Sequence, residues 1–120
     1  MIEIELGALQ ERFADIVWAN EPVPSGELVK LCEKKLGWKK PTTYTVLRKL
    51  CEKGLFRNDN ATVTPLISEA EYYAIRGEKI VEEGYQGSLP VFIAAFAARR
   101  PLSEQEIAEI RAIIDAQEGK

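Results

Sequence analysis

A mainly α (α+β) fold is predicted for this chain of 120 residues, and three observations predict it. Apolar residues recur at three- and four-residue steps in three successive stretches before residue 54. One short segment at 55–64 instead combines β-branched residues with a polar turn. Beyond Pro65, further helical stripes open on serine-led caps. A hydrophobic share of 46% with 29% charged residues is that of a folded chain, so disorder is not expected.

The first helix is expected over 6–19. Leu6, Leu9, Phe13, Ile16 and Val17 fall on one stripe with Trp18 beside it, and Pro22 and Pro24 stop the helix. Ser25 reads as the N-cap of a second helix whose inner face is Leu28, Leu31, Cys32 and Leu36. Gly37 ends it, because glycine readily takes the left-handed geometry of a helix terminus. A third helix is expected from Pro41 or Thr42 to Lys53, with Val46, Leu47, Leu50 and Cys51 inward and Gly54 closing it. Leu55-Phe56-Arg57 and Ala61-Thr62-Val63-Thr64 flank Asn58-Asp59-Asn60 as a short hairpin. Three helices and a hairpin in that order describe a winged helix-turn-helix, placed at 1–66.

Residues 67–120 read as a helical arm. Ser68-Glu69-Ala70-Glu71 and Ser103-Glu104-Gln105-Glu106 are capping boxes, and Ser88 caps a helix between them. The stripes Tyr72, Tyr73, Ile80; Leu89, Phe92, Ile93, Phe96; and Ile107, Ile110, Ile114 are too few to close a core by themselves. A homodimer joined through them is therefore expected, since one self-complementary surface serves both chains.

Charge narrows the function. The net −3 is unevenly spread: residues 22–64 hold nine Lys/Arg against four Asp/Glu, while 1–21 hold one against five and 65–120 six against ten. A basic middle between acidic ends suits one segment that meets phosphate. The chain has no histidine, which removes the commonest general base, so no enzyme is expected. Cys32 and Cys51 lie on inner helix faces and read as buried free thiols; no metal or other cofactor is called for. An acidic start and the lack of a long apolar run predict a cytoplasmic protein without membrane insertion.

The third helix has the layout of a DNA-reading helix. Thr42, Thr43, Tyr44 and Thr45 cluster in its first turn, Lys39 and Lys40 flank its start, and Arg48 and Lys49 lie a turn further on. Hydroxyls can address base edges in the major groove while cations grip phosphates. Arg57 and Asn58 of the hairpin are candidate wing contacts. Trp38 reads as a core anchor.

These residues resemble the penicillinase-repressor (BlaI/MecI/CopY) family of transcriptional regulators. The resemblance lies in the stretch 13–18, in Gly37-Trp38-Lys39-Lys40-Pro41-Thr42-Thr43-Tyr44-Thr45-Val46-Leu47-Arg48-Lys49-Leu50, in Glu52-Lys53-Gly54-Leu55 and in Pro65-Leu66-Ile67-Ser68. Gly87-Ser88-Leu89, the apolar stretch 92–96 and Leu102-Ser103 extend it. It implies a dimeric repressor on a palindromic operator of double-stranded DNA, DNA contact by Thr42 and Thr45, dimerisation through the last three helices and a membrane-embedded sensor protease as partner. The hairpin is shorter and less basic than the family's. Gln117-Glu118-Gly119-Lys120 lacks the cysteines of the copper-responsive branch, and Arg76-Gly77 stands where the β-lactam-responsive branch is cleaved at Asn-Phe. No inducing signal follows from the residues. A rival reading makes the winged helix a protein-binding module that never touches DNA, because fold does not dictate function.

Overall fold

Helix α1 (Ala8–Asn20) buries one stripe, Phe13, Ala14, Ile16, Val17 and Trp18, in the computed structural model, which describes residues 5–119. Its first turn is closed by Gln10, whose Oε1 accepts from the Gly7 N–H at 3.2 Å. Leu9 lies on the same stripe but is exposed, because the stripe runs past the packed part of the helix.

The segment read as a mere helix stop forms strand β1 (Val23–Pro24). Helix α2 (Ser25–Leu36) follows directly. Ser25 is therefore its first residue and not its cap: Pro24 holds the cap position, and the buried Ser25 donates its backbone N–H to the Ala61 carbonyl at 2.8 Å. Leu28 and Cys32 face the core, and Gly37, at φ +70°, ends the helix by donating to the Glu33 carbonyl. Trp38 stacks on Phe13 with ring centroids 5.9 Å apart, the anchoring role its size suggested.

Helix α3 (Lys40–Glu52) is capped at Lys39, with Pro41 in its first turn, where a missing N–H costs nothing. Strands β2 (Phe56–Asp59) and β3 (Thr62–Pro65) pair antiparallel, with Asp59 opposite Thr62. The hairpin turn is consequently Asn60-Ala61, both at positive φ, and Asn58 and Asp59 belong to the strand. The sheet order is β1-β3-β2, which leaves the proline-bearing β1 at an edge where a lost ladder donor is tolerated.

Helix α4 (Glu69–Tyr85) begins on Ser68, whose Oγ accepts from the Glu71 N–H at 3.0 Å, and passes Gly77 without interruption. Helix α5 (Leu89–Arg99) is capped by Ser88 and helix α6 (Glu104–Glu118) by a Ser103/Glu106 capping box, both as expected. The architecture is mainly α with a small antiparallel sheet, a winged-helix head followed by helices.

The chain divides into two compact units, one ending at Gly77 and one beginning at Glu78, against an expected boundary at 66/67. The difference has a local cause. Tyr72 is buried in the core of the first unit, and Trp18 Nε1–H donates to the Ile67 carbonyl at 3.0 Å, so the opening turns of α4 belong to the head. Tyr72 and Tyr73, expected in a dimer contact, pack instead on Trp18, at 5.4 and 6.3 Å between ring centroids. Every buried apolar side chain among the described residues lies between Phe13 and Tyr72. Each fully buried Val, Leu, Ile or Phe among them contributes roughly 1.5–3 kcal/mol on leaving water.

Candidate nucleic-acid interface

Helix α3 sorts its residues by the 3.6-residue period. Thr43, Leu47 and Leu50 stand at four- and three-residue steps and are buried; Pro41, Thr42, Thr45, Arg48 and Lys49 share the exposed side. Thr43 is only 1% exposed, so it cannot stand among the residues offered to a ligand, where the first-turn cluster had placed it. The signal was present: Thr43 lies on the Leu47–Leu50 stripe, and its hydroxyl disguised an inward position. Its Oγ1 has no hydrogen-bond partner of good geometry among the described residues. The Cys32 thiol of α2 lies against it, a weak partner at best, and that thiol's pKa is raised by burial.

Tyr44 is half-buried. Its hydroxyl donates to Ser25 Oγ at 3.2 Å, which ties α3 to the start of α2. With Leu47, Arg48, Cys51 and Asn58 it lines a groove of about 270 Å³ between α3 and β2. Cys51, half-buried where the sequence predicts it buried, has its thiol pKa pushed up, chiefly by burial. Both cysteines are free, as read.

Thr45 is exposed, and its hydroxyl donates to the Pro41 carbonyl one turn back at 2.9 Å. Its proton is thus committed, leaving an acceptor oxygen and a methyl group on the outer face. Thr42 stands one turn earlier on the same face and is exposed. The first turn of α3 contains no acidic residue, and Lys39 and Lys40 flank it, so the partial positive charge of the helix start is reinforced. Lys39, Lys40, Arg48, Lys49 and Arg57 are all exposed, and among the described residues none of the five is held in an ion pair. Arg57 and Asn58 lie exposed on β2, at the wing. The surface offers unpaired cations around two threonines and a helix start, chemistry suited to phosphates and base edges.

The second unit has a different character. Neither α5 nor α6 contains a buried residue, and Ile80, Leu89, Val91, Phe96, Ile113 and Ile114 are exposed. Phe92, Ile93, Ile107 and Ile110 are half-buried, with Phe92 edge-on to Tyr85 at 5.1 Å. A polar clasp holds the turn before α6: Arg100 makes a two-pronged bond with Glu106 (2.8 and 3.3 Å) and lies 4.8 Å from the Phe96 ring centre. That pairing and the Ser103 amide lower the Glu106 pKa to about 2. No group of metal-ligating side chains and no helix long and apolar enough to cross a membrane occurs among the described residues.

A family model described as "Penicillinase repressor" matches residues 6–116. The chain is similar to the "Penicillinase repressor" of Bacillus licheniformis, 24% identical over 109 residues that span 88% of this chain and 85% of that protein. It is also similar to the "Methicillin resistance regulatory protein MecI" of Staphylococcus aureus (strain Mu50 / ATCC 700699), 21% identical over 115 residues, 92% of this chain and 94% of that one. MecI of Mammaliicoccus sciuri is 20% identical over the same shares.

Proposed function

The chain belongs to the penicillinase-repressor family, repressors rather than enzymes, and from that premise we propose that it is a dimeric, sequence-specific repressor that reads a palindromic operator with α3. One observation carries the reading: α3 turns Thr42, Thr45, Arg48 and Lys49 outward together, with Lys39 and Lys40 at its start and no described acid pairing with those cations. Thr42 and Thr45 address base edges, Thr45 through its methyl and acceptor oxygen, and the cations hold phosphates. Arg57 and Asn58 reach the flanking backbone. Tyr44 positions the helix from behind.

Dimerisation through the second unit follows from its exposed apolar side chains. Leu89, Phe96 and Ile114, with Ile80, Phe92, Ile93, Ile107 and Ile110, bury against their symmetry copies. Two heads then face two half-sites about one helical turn apart, roughly 10–10.5 base pairs, or a multiple of it.

Footprinting of the purified protein on the DNA upstream of its own gene tests the reading, with a salt series alongside. The logarithm of the affinity should fall linearly with the logarithm of salt, by about 0.9 per phosphate neutralised. The rival protein-binding module draws on the net charge of −3. A protected site absent at every salt concentration tested, or binding indifferent to salt, would count against the repressor reading and support that rival. Sedimentation of wild type and of Phe96→Asp tests the dimer: a monomeric wild type refutes it.

A further inference from the structure

Three residues in the first half of α4, Tyr72, Tyr73 and Arg76, are tied to α1 by more than packing. Glu11 and Asp15 stand one turn apart on α1. The Tyr72 hydroxyl donates to Glu11 Oε2 at 2.9 Å, and the Tyr73 hydroxyl to Asp15 Oδ1 at 3.0 Å. The Arg76 guanidinium pairs with the same Glu11 at 3.0 Å. The two tyrosine rings meet edge-on at 4.9 Å. Bonds to charged carboxylates are about twice as strong as neutral ones, so the opening of α4 is held as one piece with α1.

The next residue is Gly77. It is exposed, lies inside a continuous helix, and a Cβ placed on it would meet nothing within 4 Å among the described residues of its own chain. Neither a left-handed backbone nor a close neighbour among the chain's own described residues calls for glycine there. What glycine does in a helix interior is make local opening cheaper, by about fivefold relative to alanine. The boundary between the two compact units falls at this same residue. The other glycine of the helix, Gly84, sits in its last turn, where helices end anyway.

We infer that α4 is an anchored root followed by a pivot: Glu11 and Asp15 hold Tyr72, Tyr73 and Arg76, and the helix flexes at Gly77. The two heads of a dimer thereby meet half-sites at more than one spacing. This inference rests on the DNA reading proposed above. Gly77 is a positioning residue; it touches no DNA.

Full-length wild type, Gly77→Ala and Tyr73→Phe are compared on duplexes whose half-site spacing changes one base pair at a time, and on a duplex with a single half-site. Gly77→Ala should bind the best-spaced operator as wild type does and lose about fivefold more per chain one base pair away. Its single half-site affinity should not change. Amide exchange in the DNA-free dimer supplies a second readout: Gly77→Ala slows residues 77–81 by about fivefold, and Tyr73→Phe speeds residues 70–76. A spacing profile of Gly77→Ala that superimposes on wild type overturns the pivot, and unchanged exchange at 70–76 in Tyr73→Phe overturns the anchor. If wild type itself fails to separate half-site duplexes from random DNA, the DNA reading falls and the spacing function with it. Exchange at 77–81 would then still report on the pivot alone.

Discussion

Replacing Thr43 by valine separates the two faces of α3 in one experiment. Thr43 is 1% exposed, and the hydroxyl removed is buried without a well-formed hydrogen bond among the described residues. Burying an unpaired hydroxyl costs about 1–3 kcal/mol, of which contact with the Cys32 sulfur returns a part. Valine keeps the branched shape and the restricted χ1 of threonine, so neither a cavity nor a new rotamer is introduced. The expected result is a gain of about 1 kcal/mol, or roughly 4 °C in Tm for a domain of this size. Urea and thermal unfolding followed by the fluorescence of Trp18 and Trp38 measure it, at one fixed protein concentration because a dimer's stability depends on concentration. Operator affinity should stay within about twofold, since a single altered base contact would shift it by roughly 1–3 kcal/mol. Destabilisation by about 1 kcal/mol or more would mean that the hydroxyl is well partnered. Lost sequence preference at unchanged stability would mean that Thr43 reads DNA after all, and the inward assignment would be wrong.

Three further outcomes follow from the same geometry. Ala61 sits at φ +61° in the wing turn, a left-handed conformation that costs an L-residue about 1–2 kcal/mol, so Ala61→Gly should raise the urea midpoint; a lower one refutes the strain. Burial, then bonds from the phenols to Asp15 and Glu11, push the Tyr73 pKa up to about 12 and that of Tyr72 higher still. Raised values mean that the folded state holds those protons more tightly, so the stability they confer is complete below pH 10 and drains away as pH rises through about 12. Tyrosinate absorbance should show the late fraction, Tyr73→Phe should shrink it, and a single step near pH 10 for every tyrosine would contradict the bonds of Tyr72 and Tyr73 to Glu11 and Asp15. Lys49→Ala should weaken binding evenly over all sequences and reduce the salt slope by about one phosphate, whereas Thr45→Ser, which deletes only the outward methyl, should alter base preference; the reverse pattern would exchange their roles.

Much of the fold was legible because its signals are local. Gly37 at a helix end, Ser88 and Ser103 at helix starts, and the order of helices and hairpin all depend on residues within about one turn of each other. The basic middle of the chain, and Thr42, Thr45, Arg48 and Lys49 on one helix side, were equally readable, as periodicity alone sets which residues share a side. Which side faces inward was less plain at Thr43, because a polar residue on an apolar stripe counts for either.

The tertiary structure decided what depends on partners far along the chain. Val23–Pro24 becomes a strand only because β3 comes to lie beside it, and Ser25 starts a helix because the Ala61 carbonyl takes its N–H. The wing turn moved to Asn60-Ala61 through the strand register. Tyr72 and Tyr73 passed from the arm to the head because Glu11, Asp15 and Trp18, more than fifty residues earlier, provide their acceptors and their packing surface. Helix propensity and capping act over a few residues and can be read in a line, whereas burial and long-range hydrogen bonds exist only once distant segments meet.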